Sequence, residues 1–392
     1  MEGSIKASVN YAKAQQLLES DALYAKHFGV SVGGGSSSRT IRFHDVIRAL
    51  IKPFLGDNHL PQYDQERFSE TLSAIHKDFD SSLIVTEEIT PLFGFHSEEK
   101  VISLGDRLTI EELPVERIGE LLKRGTPIAF HLNAHHASMV YSFAIKRTKI
   151  TEKTFGGLSG HRENETISDD LIISALQLYK RGTVFPVTRL SRTLSFFGAG
   201  EAFSHGAFRP GLESTYRLSS AESKNFLKLW EQILPISSNL PKYLKVALRR
   251  FSQARLRPDT EDRIIDLLIA AEAVFLSSDG GNYQGEIKYR LAHRAALFLG
   301  ETSDEKRNVF ETFKQAYNVR SAIVHGSTQK LPARNGEKAI SLSDFENSIA
   351  VHIQRAIIKI IQNRPDLEKI ATIDWDGLIF PDTETPGSAD VA

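Results

Sequence analysis

The residues with the greatest chemical reach are an arginine and a histidine five positions apart, Arg320 and His325 in YNVRSAIVHG. A guanidinium there would neutralise charge building on a phosphorane. An imidazole, titrating near neutrality, would take the proton from a 2′-hydroxyl or give one to the leaving oxygen. With Ser321 beside them, the pair suits an RNA phosphate. The same spacing occurs at Arg39 and His44 in RTIRFH, and roughly one such pair per few hundred residues arises by chance. Context must therefore sort the two. Arg39 borders the run GVSVGGGSSS, where nothing in the sequence fixes its geometry, so that copy reads as a decoy. For the later copy the bland alternative is that Arg and His merely complement the dipole at a helix carboxyl end.

Other clusters carry weaker chemistry. HLNAHH brings together His131, His135 and His136, but it reads as a strand entering a loop with no acid in ligand register, so surface or packing roles are expected. In RENETISDD the acids Glu163, Glu165, Asp169 and Asp170 suit a solvated loop entering a helix better than a magnesium site. No metal site and no cofactor is predicted. GGGSSS lacks the lysine and the strand–helix setting of a phosphate loop, and no serine sits in a nucleophile elbow. KVALRRFSQARLR, with Lys245, Arg249, Arg250, Arg255 and Arg257, reads either as an RNA-backbone surface or as a solvated helix face.

The pair at 320 and 325 needs a long helix to position it. Val309, Phe313, Ala316 and Tyr317 recur at helical spacing and run toward Arg320. Five residues are roughly 140° of rotation on an ideal helix, so the last turn must open for the side chains to converge. Gly326, able to take the left-handed conformation, is the residue expected to let His325 swing round. Helices are predicted around it in PKYLKVALRRFSQAR, DTEDRIIDLLIAAEAVFLSS, GEIKYRLAHRAALFLG and LSDFENSIAVHIQRAIIKIIQN. SSAESKNFLKLWEQIL precedes them, with Phe226, Leu229, Trp230 and Ile233 on one face.

The amino-terminal half has a different texture. SSLIVTEEITPLFGF, VISLGDRLTI, PIAFHLNA and VYSFAIKRTKI are short, rich in β-branched residues and bounded by Gly, Pro and Asp, as strands are. Helices are expected in FHDVIRALIKPFLG, at 64–79, near ELPVERIGELLKRG and at SDDLIISALQLYKRG, where Ser168 can cap. The expected fold class is α+β: a flexible arm and Gly/Ser linker at 1–40, a mixed α/β region at 41–217 that senses or restrains, an all-α helical bundle at 218–365, and a tail at 366–392.

At 392 residues two domains are expected. With 48 basic and 49 acidic residues no global field draws the chain to nucleic acid, so any such contact must be local. The absence of cysteine excludes disulfides, thiolate zinc sites and cysteine nucleophiles, and with no signal-like start it points to the cytoplasm. No apolar run reaches the roughly 20 residues that span a bilayer, so no membrane role is expected.

Taken together, DRIIDLLIAAEAVFL, EIKYRLAHRAALFLG and AYNVRSAIVHG, over about 240 to 330, resemble the Apea-like branch of the HEPN superfamily. ISLGDRLTIEEL and LIISALQLYKRGTVFPV are similar to the region that often precedes that domain. The resemblance implies a HEPN bundle that dimerises so that two Arg/His motifs line one cleft, acting as a metal-independent ribonuclease in toxin, abortive-infection or antiphage systems. By that match Arg320 and His325 carry over as catalytic. Glu272, Glu286, Arg290 and Arg294 correspond to family positions that would support the site or the bundle; Ser321 and Tyr317 are expected beside them, and from the basic stretch itself Arg249, Arg250 and Arg255 are the residues expected to hold RNA. Many members have Asn, Asp or His after the arginine where this chain has Ser321. The alternative is a non-catalytic HEPN module binding RNA, a nucleotide or a protein partner.

Overall fold

The computed structural model describes residues 9–34, 37–54, 63–114, 118, 142–155, 167–196, 201–205, 215–277, 286–327, 331 and 340–362. The fold is α+β, with antiparallel sheet toward the amino terminus and helices toward the carboxyl terminus. Two compact units interleave along the chain. Met1–Leu92, Lys100–Thr166 and Pro186–Phe208 form the first, and Phe93–Glu99, Ile167–Phe185 and Arg209–Ala392 form the second. The units thus exchange chain at several points rather than at one step near 217.

The first unit begins with α1 (Val9–Ser20), α2 (Ala22–Ala25), the hairpin β1 (Ser31–Gly34) and β2 (Ser37–Thr40), α3 (Phe43–Ile51) and α4 (Gln65–Asp80). The glycine- and serine-rich run expected to be a loop or linker is therefore paired as strand from Ser31 onward, β1 against β2. Val32 explains why: it is fully buried in a cluster with Tyr24, Ile41, Val46, Phe79 and Ile84, and β1 also pairs with the distant strand Thr154–Phe155. Burial of one side chain and a remote ladder partner outweigh the flexibility of the glycines.

The strands follow as β3 (Leu83–Phe93), β4 (Phe95–Ser97), β5 (Val101–Gly105), β6 (Leu108–Glu112), β7 (Phe143–Glu152), β8 (Thr154–Phe155), β9 (Phe185–Pro186), β10 (Thr188–Thr193), β11 (Glu201–His205) and β12 (Tyr216–Leu218). The main sheet runs β11-β10-β3-β7-β6-β5 with antiparallel neighbours. VISLGDRLTI is two strands rather than one, turned at Asp106 and Arg107, where Arg107 takes φ 59°. Across β3 and β7, Glu88 faces Arg147 directly, and its two oxygens meet Arg147 Nη1 at 3.1 Å and Lys149 Nζ at 2.9 Å. A carboxylate so buried is tolerated because two cations satisfy it.

In the second unit β4 and β12 pair in parallel, and Phe95 stacks on Tyr216 at 5.7 Å between ring centres. The helices are α5 (Asp169–Tyr179), α6 (Ser220–Ile233), α7 (Lys242–Leu256), α8 (Thr260–Phe275), α9 (Ile287–Leu299), α10 (Ser303–Val324) and α11 (Leu342–Gln362). Ser168 caps α5 by accepting from the Leu171 N–H, and the Tyr216 hydroxyl donates to the Leu176 carbonyl at 2.6 Å. Phe226, Leu229, Trp230 and Ile233 are buried along α6, as their spacing predicts. Helix α8 supplies much of the core: Ile264, Leu267, Leu268, Ala271 and Phe275 are wholly buried, and Phe275 meets Phe298 and Phe313 edge-on. Between α9 and α10 a Cβ on Gly300 would lie 2.7 Å from the Lys306 backbone nitrogen, so the tight hairpin requires glycine there. Among the described residues no helix is long and apolar enough to cross a membrane.

The strand PIAFHLNA, most of the helix near ELPVERIGELLKRG, Gly125 and the tail with Trp375 and Phe380 lie outside the described residues.

Candidate functional site

Helix α10 begins where Thr302 accepts from the Glu305 N–H, with Asp304 and Glu305 in the first turn at the positive end of the dipole. Its buried face is Val309, Phe313, Ala316 and Val319, whereas Tyr317 sits half-buried at the flank. Arg320 continues this inward side. Its Nη1 donates to Glu272 Oε1 on α8 at 2.7 Å, and its Cζ lies 5.8 Å from the Tyr317 ring centre. Burial pushes the Glu272 carboxyl above its ordinary value despite the opposing pull of Arg320. Arginine and glutamate are 28% and 27% exposed, so the pair sits at the rim of the bundle, within reach of a solute.

The end of α10 differs from the sequence expectation, because the last turn does not open. The His325 N–H keeps its bond to Ser321 O at 3.0 Å, Gly326 N–H reaches Ile323 O at 3.1 Å, and Ser327 N–H reaches Ala322 O at 2.9 Å. Gly326, at φ 63°, is what allows the last two bonds to close over the helix end. The left-handed glycine therefore seals the helix instead of unwinding it. His325 is exposed, roughly 140° around the axis from Arg320 on ideal helix geometry. The Arg320 guanidinium meets Glu272 and Tyr317, not His325.

The expected supporting residues separate. Ser321 is exposed beside the pair. Glu286 is exposed, with φ 51° at the start of α9, so it forms no buried ion pair with an arginine there. Arg294 Nη1 donates to Phe275 O at 3.0 Å, which closes the end of α8. Arg290 is partly buried on α9.

The basic stretch on α7 is largely consumed inside the bundle. Asp266, 2% exposed in the middle of IIDLLIAA, receives Arg250 Nη1 at 2.8 Å and Arg257 Nε at 3.0 Å. Arg255 is buried, 3.8 Å from the equally buried Glu346 and 5.0 Å from the Phe251 ring centre, and burial lowers its pKa to about 10. An RNA-backbone role for Arg255 is thereby corrected: its guanidinium faces the interior. Arg250 is committed to Asp266, and Arg249 and Lys245 alone of the five are exposed.

The earlier spacing, at Arg39 and His44, is also anchored. Arg39 Nη2 lies 2.8 Å and His44 Nε2 3.6 Å from the same Asp45 oxygen, and Arg39 Cζ sits 5.7 Å from the Phe196 ring centre. His131, His135, His136, Glu163 and Glu165 lie outside the described residues; Asp169 is buried and Asp170 exposed in the first turn of α5. Among the described residues no three His, Asp or Glu side chains are placed to hold a metal ion.

A cluster that the sequence reading passed over lies where α9 meets α10. Tyr289 is 45% exposed, with its ring centre 6.4 Å from that of Phe310. Lys288 Nζ lies 5.0 Å and Lys314 Nζ 5.9 Å from the Tyr289 centre, and Lys314 Nζ is 5.6 Å from the Phe310 centre. The signal available was the interleaving of aromatic and basic residues in IKYR and NVFETFK. No family model, no curated protein and no solved structure matches the chain.

Proposed function

We propose that the helical unit is a HEPN-type, metal-independent endoribonuclease, a toxin or antiphage effector restrained or triggered by the first unit. The reading is carried by one observation: Arg320 is held at the bundle rim by Glu272 while His325 stands exposed at the closed end of the same helix. In this role Arg320 stabilises charge on the scissile phosphate, and His325 transfers the proton as the 2′-oxygen attacks and the 5′-oxygen leaves. Because five helical residues separate the two groups by roughly 140°, a shared phosphate calls for motifs from two copies. A homodimer that brings the carboxyl ends of two α10 helices together supplies them. The lack of cysteine suits a reducing compartment such as the cytoplasm.

Purified protein incubated with RNA in EDTA should cut it, and Arg320→Ala and His325→Ala, still folded by circular dichroism, should not. Equal cleavage by parent and both variants would remove the site. A second reading, a non-catalytic module that binds RNA, a nucleotide or a protein partner, is favoured by the prior neutralisation of Arg320 by Glu272. Binding without strand scission in the same assay would select it.

A further inference from the structure

We infer that the face shared by α9 and α10 is a platform for single-stranded RNA, with Tyr289 and Phe310 as stacking surfaces and Lys288, Lys314 and Arg307 as phosphate contacts. The inference deepens the ribonuclease reading by giving the strand a path, and it rests on that reading for the direction in which the strand runs.

A tyrosine nearly half exposed beside a partly exposed phenylalanine leaves π-faces at the surface that neither helix needs for its core, which is built from Val309, Phe313, Ala316 and Val319 on the other side of α10. Lysines, not carboxylates, occupy those faces. Lys288 and Lys314 both lie within 6 Å of the Tyr289 ring centre, and Lys288 Nζ also reaches Asn318 Oδ1 at 3.4 Å. A cation over an exposed ring is held weakly, whereas a base stacked on the same ring is held more strongly and brings a phosphate to which the lysine can turn. The cation–π arrangement is thus one that a nucleotide can exchange for a better one. Glu311 lies 3.4 Å from Lys314 and is 60% exposed, and the exposed Glu286 and Asp304 stand one turn from Tyr289 and from Arg307, but the groups that lie over the rings are the lysines. The attraction for phosphate is therefore local to the rings, where Lys288 and Lys314 lie, and does not come from the charge of the whole chain.

The platform also leads to the motif. On an ideal helix Arg307, Lys314, Ser321 and His325 fall within a narrow stripe, and Lys314 to His325 is about 16 Å along the axis. A strand stacked on Tyr289 and Phe310 would follow this stripe to the exposed imidazole. A duplex, whose bases are already stacked, cannot use the rings, so single strands are the fitting substrate class.

The test uses full-length protein and a labelled 2′-O-methyl oligouridylate, which 2′-hydroxyl attack cannot cut, so binding is read apart from cleavage. Tyr289→Ala should weaken binding roughly five- to hundredfold, and Tyr289→Phe should bind like the parent. Lys288→Glu with Lys314→Glu should weaken it further and flatten its salt dependence. Parental affinity in Tyr289→Ala and in the double lysine variant would overturn the platform. So would a dimer that Tyr289→Ala splits in sedimentation while RNA binding persists, because the face then belongs to a second copy. If Tyr289→Ala loses binding while His325→Ala cleaves RNA normally, the platform stands and the nuclease site does not.

Discussion

The chain contains the same arginine–histidine spacing twice, and the two copies are built in opposite ways. At Arg39 and His44 both groups converge on one local carboxylate, Asp45, which also accepts the Arg42 N–H at 2.9 Å and so closes the start of α3. At Arg320 and His325 the arginine is held by a carboxylate 48 positions away in sequence, and the histidine is left exposed. Convergence therefore marks the copy that is a folding device. The divided copy leaves its imidazole open to solvent and its guanidinium paired at the rim of the bundle.

The largest effect should come from exchanging the copies in an RNA cleavage assay. Arg320→Ala or His325→Ala should lower the rate by roughly two to four orders of magnitude, and Arg39→Ala or His44→Ala should leave it near parental. Equal losses in both copies would erase the contrast. Next in size, Asp45→Ala should destabilise the first unit by about 1 kcal/mol in urea unfolding, through its lost cap and ion pair, with cleavage by the second unit retained. Gly326→Ala should cost about 1 kcal/mol as well; nothing lies within 4 Å of the added Cβ, so the cost is backbone strain at φ 63° alone.

The smallest effect is in the pH dependence of Glu272. Its folded pKa is raised above 4.5 by burial, so between the two values the folded chain holds a proton that the unfolded chain has released. Stability from this group therefore falls as pH rises from 4.5 through the raised value. Glu272→Gln should remove that slope from thermal melts, and an unchanged slope would exclude Glu272 as its source. If Glu272 restrains Arg320, the same variant should bind phosphate-bearing ligands a few-fold more tightly at neutral pH.

Much of the helical unit could be read from periodicity, because amphipathic stripes such as Phe226, Leu229, Trp230 and Ile233 state their own burial. Capping was equally legible at Ser168 and, as a stopping position, at Gly326. What Gly326 does was not, since the same left-handed residue can open a helix or seal it, and the closing bonds decide. The hairpin at Ser31–Thr40 escaped because what supports its glycine-rich strand, the burial of Val32 and a third strand at Thr154–Phe155, is remote in sequence. The α7 arginines read as surface because their partners Asp266 and Glu346, each buried on the inward face of its helix, are remote acids on α8 and α11. Charge pairing across helices carries no period and leaves no local trace.

The interleaving of the two units also bears on how the chain could be divided. Strand β4 and helix α5 are both made before the first unit is complete, yet they supply Phe95 and Leu176 to Tyr216 in the second. A fragment starting after residue 208 would leave the Tyr216 ring uncovered and its hydroxyl without the Leu176 carbonyl. Because each unit takes pieces from several stretches of the chain, no single proteolytic cut can separate an intact helical unit from the first.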